Sequence, residues 1–190
     1  MKNNYDKILK AATRLINKRG YHGTSIQMIA EKAGVSKAGV LYHFKSKEML
    51  LLSVVKEHVQ SGAYELMLIV KEEKFSGMEK LKVFIRHQLK QIAEKGDTFN
   101  IYMSESSHFG KQNRKLYRDS KRMYLTLVKE IIEQAQKENG TPFDKLDSEL
   151  AAFAILGMCG WAMMWYKNKG RFSIDEISDQ FYQLVKEKIF

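Results

Sequence analysis

One proline in 190 residues, Pro142, leaves this chain with almost nothing to stop a helix. Apolar residues recur at three- and four-residue spacing along most of its length, and no stretch alternates with the period of a strand. The chain is therefore expected to be all-α, with about nine helices. The first covers residues 4–19, with Ile8, Leu9, Ala12, Leu15 and Ile16 on its buried face and Gly20 as its stop. Thr24 is expected to cap a second helix, with Gln27 closing a capping box, Ile26, Ile29, Ala30 and Ala33 buried, and Gly34 ending it. Ser36 caps a short third helix reaching His43 or Phe44, and Ser46 caps a long fourth one with Glu48 in its first turn. A seam through Met49, Leu52, Val55, Val59, Leu66 and Ile69 carries that helix to about residue 72. Further helices are expected over 78–95, 98–106, 113–138, 147–168 and 174–189. Breaks are expected at Ser76-Gly77, Gly96-Asp97, Gly110, Asn139-Gly140-Thr141-Pro142 and Gly170.

Charge is distributed unevenly over this frame. The chain carries +10, of which residues 1–47 hold +8 (ten Lys or Arg against Asp6 and Glu31). Such a head fits a polyanion, although a solvated basic face has the same composition. Within it, the glycine turn Ala33-Gly34-Val35-Ser36 separates two short helices, the arrangement that lays the second in a DNA major groove. That helix offers Ser36, Lys37, Ala38, Gly39, Tyr42 and His43. Ala38 and Gly39 permit close backbone approach, Lys37 can donate to guanine, and Tyr42 or His43 can reach a base edge or a phosphate. Thr24 and Ser25 lie at a helix N-terminus suited to a phosphate, Lys47 suits a second phosphate, and Gln27 is in reach of a base.

Gly20-Tyr21-His22-Gly23-Thr24-Ser25, then Ile29-Ala30, then the run from Ala33 to Glu48, resembles the TetR family of bacterial regulators. The resemblance implies a homodimer, with a helix-turn-helix DNA-binding domain at 1–46 and a larger helical ligand-binding and dimerisation domain at 47–190. It implies a repressor that holds a palindromic double-stranded DNA operator and is released by a small apolar or amphipathic effector. By position it assigns phosphates to Thr24, Ser25, Tyr42 and Lys47, and base edges to Gln27, Lys37, Gly39 and His43. Leu41 stands where many members have tyrosine, so Tyr42 takes over part of that contact.

Residues 150–166 carry no charge. A run this short, interrupted by glycine and tryptophan, fits a helix covered on two sides better than a membrane span. Phe153, Leu156, Gly157, Gly160 and Met164, with Ile177, Phe181, Leu184, Val185 and Phe190 of the final helix, resemble the family's dimerisation pair; packing within one chain is the alternative. The pattern Gly157, Trp161, Trp165-Tyr166, Gly170-Arg171-Phe172-Ser173 resembles a branch that includes regulators of fatty-acid and sterol breakdown, several responsive to acyl-CoA. Candidate ligand contacts are Phe84, His87, Phe99, Tyr102, Met103, Met123, Tyr124, Leu127 and Trp161, residue types that build adaptable apolar walls and equally build plain core. Arg86, Lys90, Lys111, Arg114, Lys115 and Arg118 are available for the phosphates of such a ligand.

Enzymatic motifs are missing. No strand precedes Ser36 to make a nucleophile elbow, there is no phosphate-binding glycine loop, and His22, His43, His58, His87 and His108 are scattered without metal spacing. No metal or cofactor is expected. The lone Cys159 and the absence of a leader-like N-terminus lead to an expectation of a cytoplasmic protein. Two other functions stay open at this point: a xenobiotic-responsive repressor of an efflux gene, and a ligand-free architectural DNA-binding protein.

Overall fold

The structure, a computed structural model, describes residues 2–138 and 143–187, apart from the side chains of residues 2, 3, 57–61, 106 and 107. The 139–142 break with Pro142, the side chains of His58 and Val59, and the end of the last helix with Phe190 lie outside the described residues. Among the described residues every regular element is helical: α1 (Lys2–Arg19), α2 (Ile26–Ala33), α3 (Lys37–His43), α4 (Lys47–Lys71), α5 (Gly77–Ser104), a 3-10 turn (Glu105–His108), α6 (Lys111–Gln136), α7 (Ser148–Trp165) and α8 (Ile174–Lys186).

Two compact units form, and neither is a continuous stretch of chain. One contains Met1–Gln60 with Asp97–Arg118, the other Ser61–Gly96 with Asp119–Phe190. The packing boundary thus falls elsewhere than the sequence boundary expected at 46/47, because α4, α5 and α6 each contribute to both units.

The first unit closes on Ile8, Ala12 and Ile16 of α1, Ile29 of α2, Val40 of α3, Leu50 and Leu51 of α4, and Ile101, Phe109 and Tyr117 from the later segment. Each large side chain buried there contributes about 1.5–3 kcal/mol. The helices expected over 78–95 and 98–106 meet at a kink inside the span of α5, where Lys95 leaves helical geometry (φ −127°, ψ 28°). Gly96 is not in the left-handed region, so the first segment ends at this kink without a glycine cap. Asn17 ties the bend down, donating to Asp97 at 2.6 Å and accepting from Asn100 at 2.5 Å.

The second unit packs α5, α6 and α7 around Leu66, Leu81, Phe84, Ile85, Leu89, Val128, Ile131, Ile132, Ile155 and Cys159. Gly77 marks its closest approach: a Cβ there would overlap the backbone of Ala135 on α6. Burial pushes the Cys159 thiol up to about 12, which makes it an inert core group. α7 buries a face of mostly small residues, Ala151, Ala152, Ile155, Cys159 and Ala162. Its opposite face is uncovered within the chain: Leu150, Phe153, Trp161, Met164 and Trp165 are 42–68% exposed. Among the described residues α7 is the one helix long and apolar enough to cross a membrane by length and composition.

The expected dimerisation set therefore divides. Phe153, Gly157 and Met164 face outward, and Leu156, Gly160, Phe181 and Leu184 are half-buried. Ile177, 6% exposed, belongs to the core of its own unit, because α8 turns Ile177, Ser178 and Val185 inward. Ile177 is thus a core residue and not one of an exposed face.

Candidate nucleic-acid interface

The head is built by short-range bonds. Gly34 takes φ +69°, the left-handed region open to glycine, and ends α2. Its N–H donates to Glu31 O at 3.2 Å, and that of Val35 donates to Ala30 O at 3.0 Å, the paired pattern of a Schellman cap. Val35 then packs against the core and fixes the angle at which α3 leaves. The Ser36 hydroxyl accepts from Gly39 N at 3.0 Å and starts α3; Ser46 does the same for Met49 N at 3.1 Å and α4.

The α2 start differs from expectation. Ser25, and not Thr24, is the cap, accepting from Met28 N at 3.2 Å. The third helical residue is then Met28, so Gln27 closes no capping box; its amide donates instead to Glu31 at 2.9 Å. Thr24 is 1% exposed and its hydroxyl donates to Gly20 O at 3.0 Å, which removes it as a phosphate contact. Lys47 is also corrected. Its ammonium donates to Tyr21 O and Thr24 O, each at 2.9 Å, and lies 4.1 Å from the Tyr21 ring centre. It clamps the 20–24 loop to α4.

α3 keeps what a groove-entering helix needs. Lys37 and Ala38 are exposed, Leu41 is 39% and Tyr42 73% exposed, and Val40 is fully buried beneath them. Gly39 leaves little room for a side chain, since Ser36 Oγ lies 3.3 Å from where a Cβ would stand, a tight contact that the cap would have to yield to. His43 is half-buried, 6.2 Å from the Tyr5 ring and 5.3 Å from that of Tyr42. Lys7, Lys10, Arg14, Lys18, Arg19, Lys32 and Lys45 of the same unit are exposed.

Sequence reasoning missed an aromatic cluster behind the loop. His108 stacks on Tyr21 (4.9 Å) and meets the His22 ring edge-on (4.4 Å), while its Nε2 is 3.0 Å from Glu105. Glu48 accepts from Gly110 N at 2.9 Å and Asn113 Nδ2 at 2.7 Å, and these two bonds hold its carboxyl below the usual range. No local signal announces pairings more than sixty residues apart.

The expected ligand contacts are not gathered in one unit. Phe99, Tyr102 and Met103 belong to the first; Phe84, His87, Met123, Tyr124, Leu127 and Trp161 belong to the second. Phe84 is wholly buried core, Met103 and Met123 are half exposed, and Trp161, 66% exposed, is part of the outward α7 stripe and not of an interior wall. Tyr102 packs against the Tyr117 ring at 5.1 Å, and burial pushes its phenol up. Tyr124 donates to Gln88 at 2.5 Å, beside His87. Arg86 is paired with Asp175 at 2.8 Å, which leaves it less free for a ligand phosphate.

Residues 8–54 match the family model described as bacterial regulatory proteins, tetR family, and residues 74–189 match that of the tetracyclin repressor-like C-terminal domain. The chain belongs to the TetR family. It is a DNA-binding helix-turn-helix transcriptional regulator, as its relatives are; none of the matched families is enzymatic. RutR of Escherichia coli (strain K12) is 48% identical over 50 residues, 26% of this chain and 24% of that protein. The chain spans about a fifth to a quarter of the length of such curated relatives (19% and 24%). Likeness to solved TetR structures runs the whole length. A crystal structure of AibR in complex with isovaleryl coenzyme A and operator DNA is 28% identical, with TM-score 0.84, over 96% of this chain and 98% of that one. A putative fatty acid metabolism regulator of Clostridium perfringens has the same fold (24% identity, TM-score 0.82, 97% and 98% covered).

Proposed function

We propose that this regulator is a repressor that binds a palindromic operator as a homodimer and lets go when a small apolar or amphipathic ligand occupies the C-terminal unit. The observation that carries the DNA half is the surface of α3. Lys37, Ala38 and Tyr42 stand free while the groups around them, Thr24, Lys47 and the caps, are spent on internal bonds. Such a surface is formed before DNA arrives, so little ordering entropy opposes binding. In this reading Lys37 meets a base edge, Ala38 and Gly39 admit the backbone, and Tyr42 and His43 meet phosphate or base. The hydroxyls of Ser25 and Ser36 accept with oxygen inside the fold and keep a proton to donate outward.

The dimer half is supported by the uncovered α7 stripe, which a second copy of the same stripe covers with two-fold symmetry. Two α3 helices then meet successive major-groove faces about 34–36 Å apart. AibR was crystallised with isovaleryl coenzyme A and operator DNA, which supports an acyl thioester among the candidate effectors here. Ligand in the second unit would alter the spacing of the heads through α4, whose first turn belongs to the head. The test begins with DNA selected from a random library, followed by anisotropy titration at several salt concentrations and run-off transcription. A dimer on an inverted repeat, lower transcription and a steep salt slope are expected. A stable monomer that ignores duplex DNA at low salt overturns the proposal.

A further inference from the structure

Among the described residues, two buried side-chain atoms have no hydrogen-bond partner, His87 Nε2 and Gln91 Oε1, and they belong to one cluster. The two residues stand one turn apart on α5 and share a face. Both address the same carboxylate on α4: His87 Nδ1 lies 3.1 Å from Glu65 Oε2, and Gln91 Nε2 donates to that atom at 3.2 Å. Gln91 is 7% exposed and the His87 side chain 11%. Glu65, nearly half exposed, keeps its charge in contact with water.

These bonds fix the character of the two unpaired atoms. An ionised Glu65 accepts and does not donate, so Nδ1 carries the imidazole proton. Burial holds His87 below its ordinary range, so the ring is neutral and Nε2 is a bare lone pair. One N–H of the Gln91 amide is given to Glu65, and the amide oxygen has no donor facing it. Both are acceptors, one turn apart, away from water. Folded proteins seldom tolerate such atoms, because each forfeits the bonds it had in solvent.

We propose that His87 and Gln91 form the polar end of the effector site, and that they select ligands presenting N–H or O–H donors on an apolar body over ligands ending in a carboxylate. This rests on the reading that the second unit takes an effector. An amide or hydroxyl supplies the missing donors. A carboxylate brings acceptors alone, and meets two lone pairs with the Glu65 charge behind them. An acyl thioester with an amide-containing arm has the favoured polarity; the free fatty acid does not.

The test uses the whole chain and probes with one ten-carbon tail: decanamide, 1-decanol and the N-acetylcysteamine thioester of decanoic acid against decanoate and methyl decanoate. Calorimetry and thermal shift are expected to show the donor-bearing probes binding at least tenfold tighter, with the thioester arm separating a coenzyme-type ligand from a simple amide or alcohol. His87→Leu and Gln91→Leu should reduce the preference below twofold. If a variant fails to fold, the wild-type comparison still decides. Decanoate or the ester binding as tightly as the amide overturns the proposal, as does no binding by any probe, the result expected if water fills the pair. Operator release is measured in parallel. Selective binding that leaves DNA affinity unchanged keeps this site and sinks the effector reading. Release by all heads alike does the reverse.

Discussion

The two units differ in how completely they satisfy their polar groups: the second bonds Lys80, Gln88 and Ser178 internally but leaves two acceptors over. In the head, Thr24, Lys47, Glu48, Asn17 and Tyr117 all bond within the unit, and the surface left over is cationic and open. In the other unit His87 and Gln91 keep acceptors that nothing in the described residues satisfies, and α7 leaves an apolar stripe bare. In the proposed reading the head meets DNA with its own polar groups already bonded. The second unit leaves two things open, an apolar surface and a pair of interior acceptors, and the proposed partner copy and ligand would fill them.

The largest way to break this contrast is to make the bare stripe unfit for a partner. Phe153→Glu with Met164→Glu puts like charges on a face that is already exposed within one chain, at 52% and 66%. The monomer should keep its helix content, while sedimentation should show loss of the dimer. Operator affinity should fall by at least a hundredfold, since one head loses the avidity of two. A folded double variant that stays dimeric would place the interface elsewhere.

The next effect tests whether the head is as self-contained as its bonds imply. Lys47→Met removes two charge-assisted bonds to Tyr21 O and Thr24 O and the ammonium over the Tyr21 ring. The expected loss is about 2–3 kcal/mol of stability, read by denaturant melts. The salt slope of DNA binding should change little once binding is corrected for folded fraction. A slope flatter by about one unit, with stability intact, would mean that Lys47 holds a phosphate after all. Smaller still, Lys37→Ala should cost about 1–3 kcal/mol of DNA affinity and relax preference at a single base pair, with no change in melting. Uniform weakening across all sequences would move Lys37 from base to phosphate.

What sequence made legible divides along the same line. Gly34, Ser36 and Ser46 act through bonds three to five residues long, so their roles follow from local spacing. The α2 cap slipped by one residue because Thr24 and Ser25 are both good caps, and the choice rests on the Thr24 hydroxyl reaching back to Gly20. Lys47 reads from sequence as a phosphate contact because the acceptors it actually uses lie 23 and 26 residues away. In the second unit, aromatic and methionine spacing gave the helices but not their facing. Phe84 turned out to be core, Trp161 surface, and Ile177 an inward residue on a helix expected at an interface. The pairing of His87 and Gln91 with Glu65 spans 22 and 26 residues, and the loss of a hydrogen-bond partner has no sequence signature at all.

The smallest expected effect concerns how firmly the head is finished. Glu48 accepts first from Gly110 N and second from Asn113, and for that reason its carboxyl titrates below the ordinary glutamate range. Its folded value is depressed, so its contribution is fully present above the unfolded value and is lost as pH falls through the folded one. The melting midpoint of the wild type minus that of Glu48→Gln should be flat from pH 7 to about pH 5 and shrink toward zero below that. The glutamine keeps an acceptor for Gly110 but not the charge, so the difference isolates ionisation from geometry. Solvent near the group keeps the effect small. A difference that grows on acidification would mean Glu48 is repelled in the fold, and that the contact joining the α4 start to Gly110 and Asn113 is strained instead of settled.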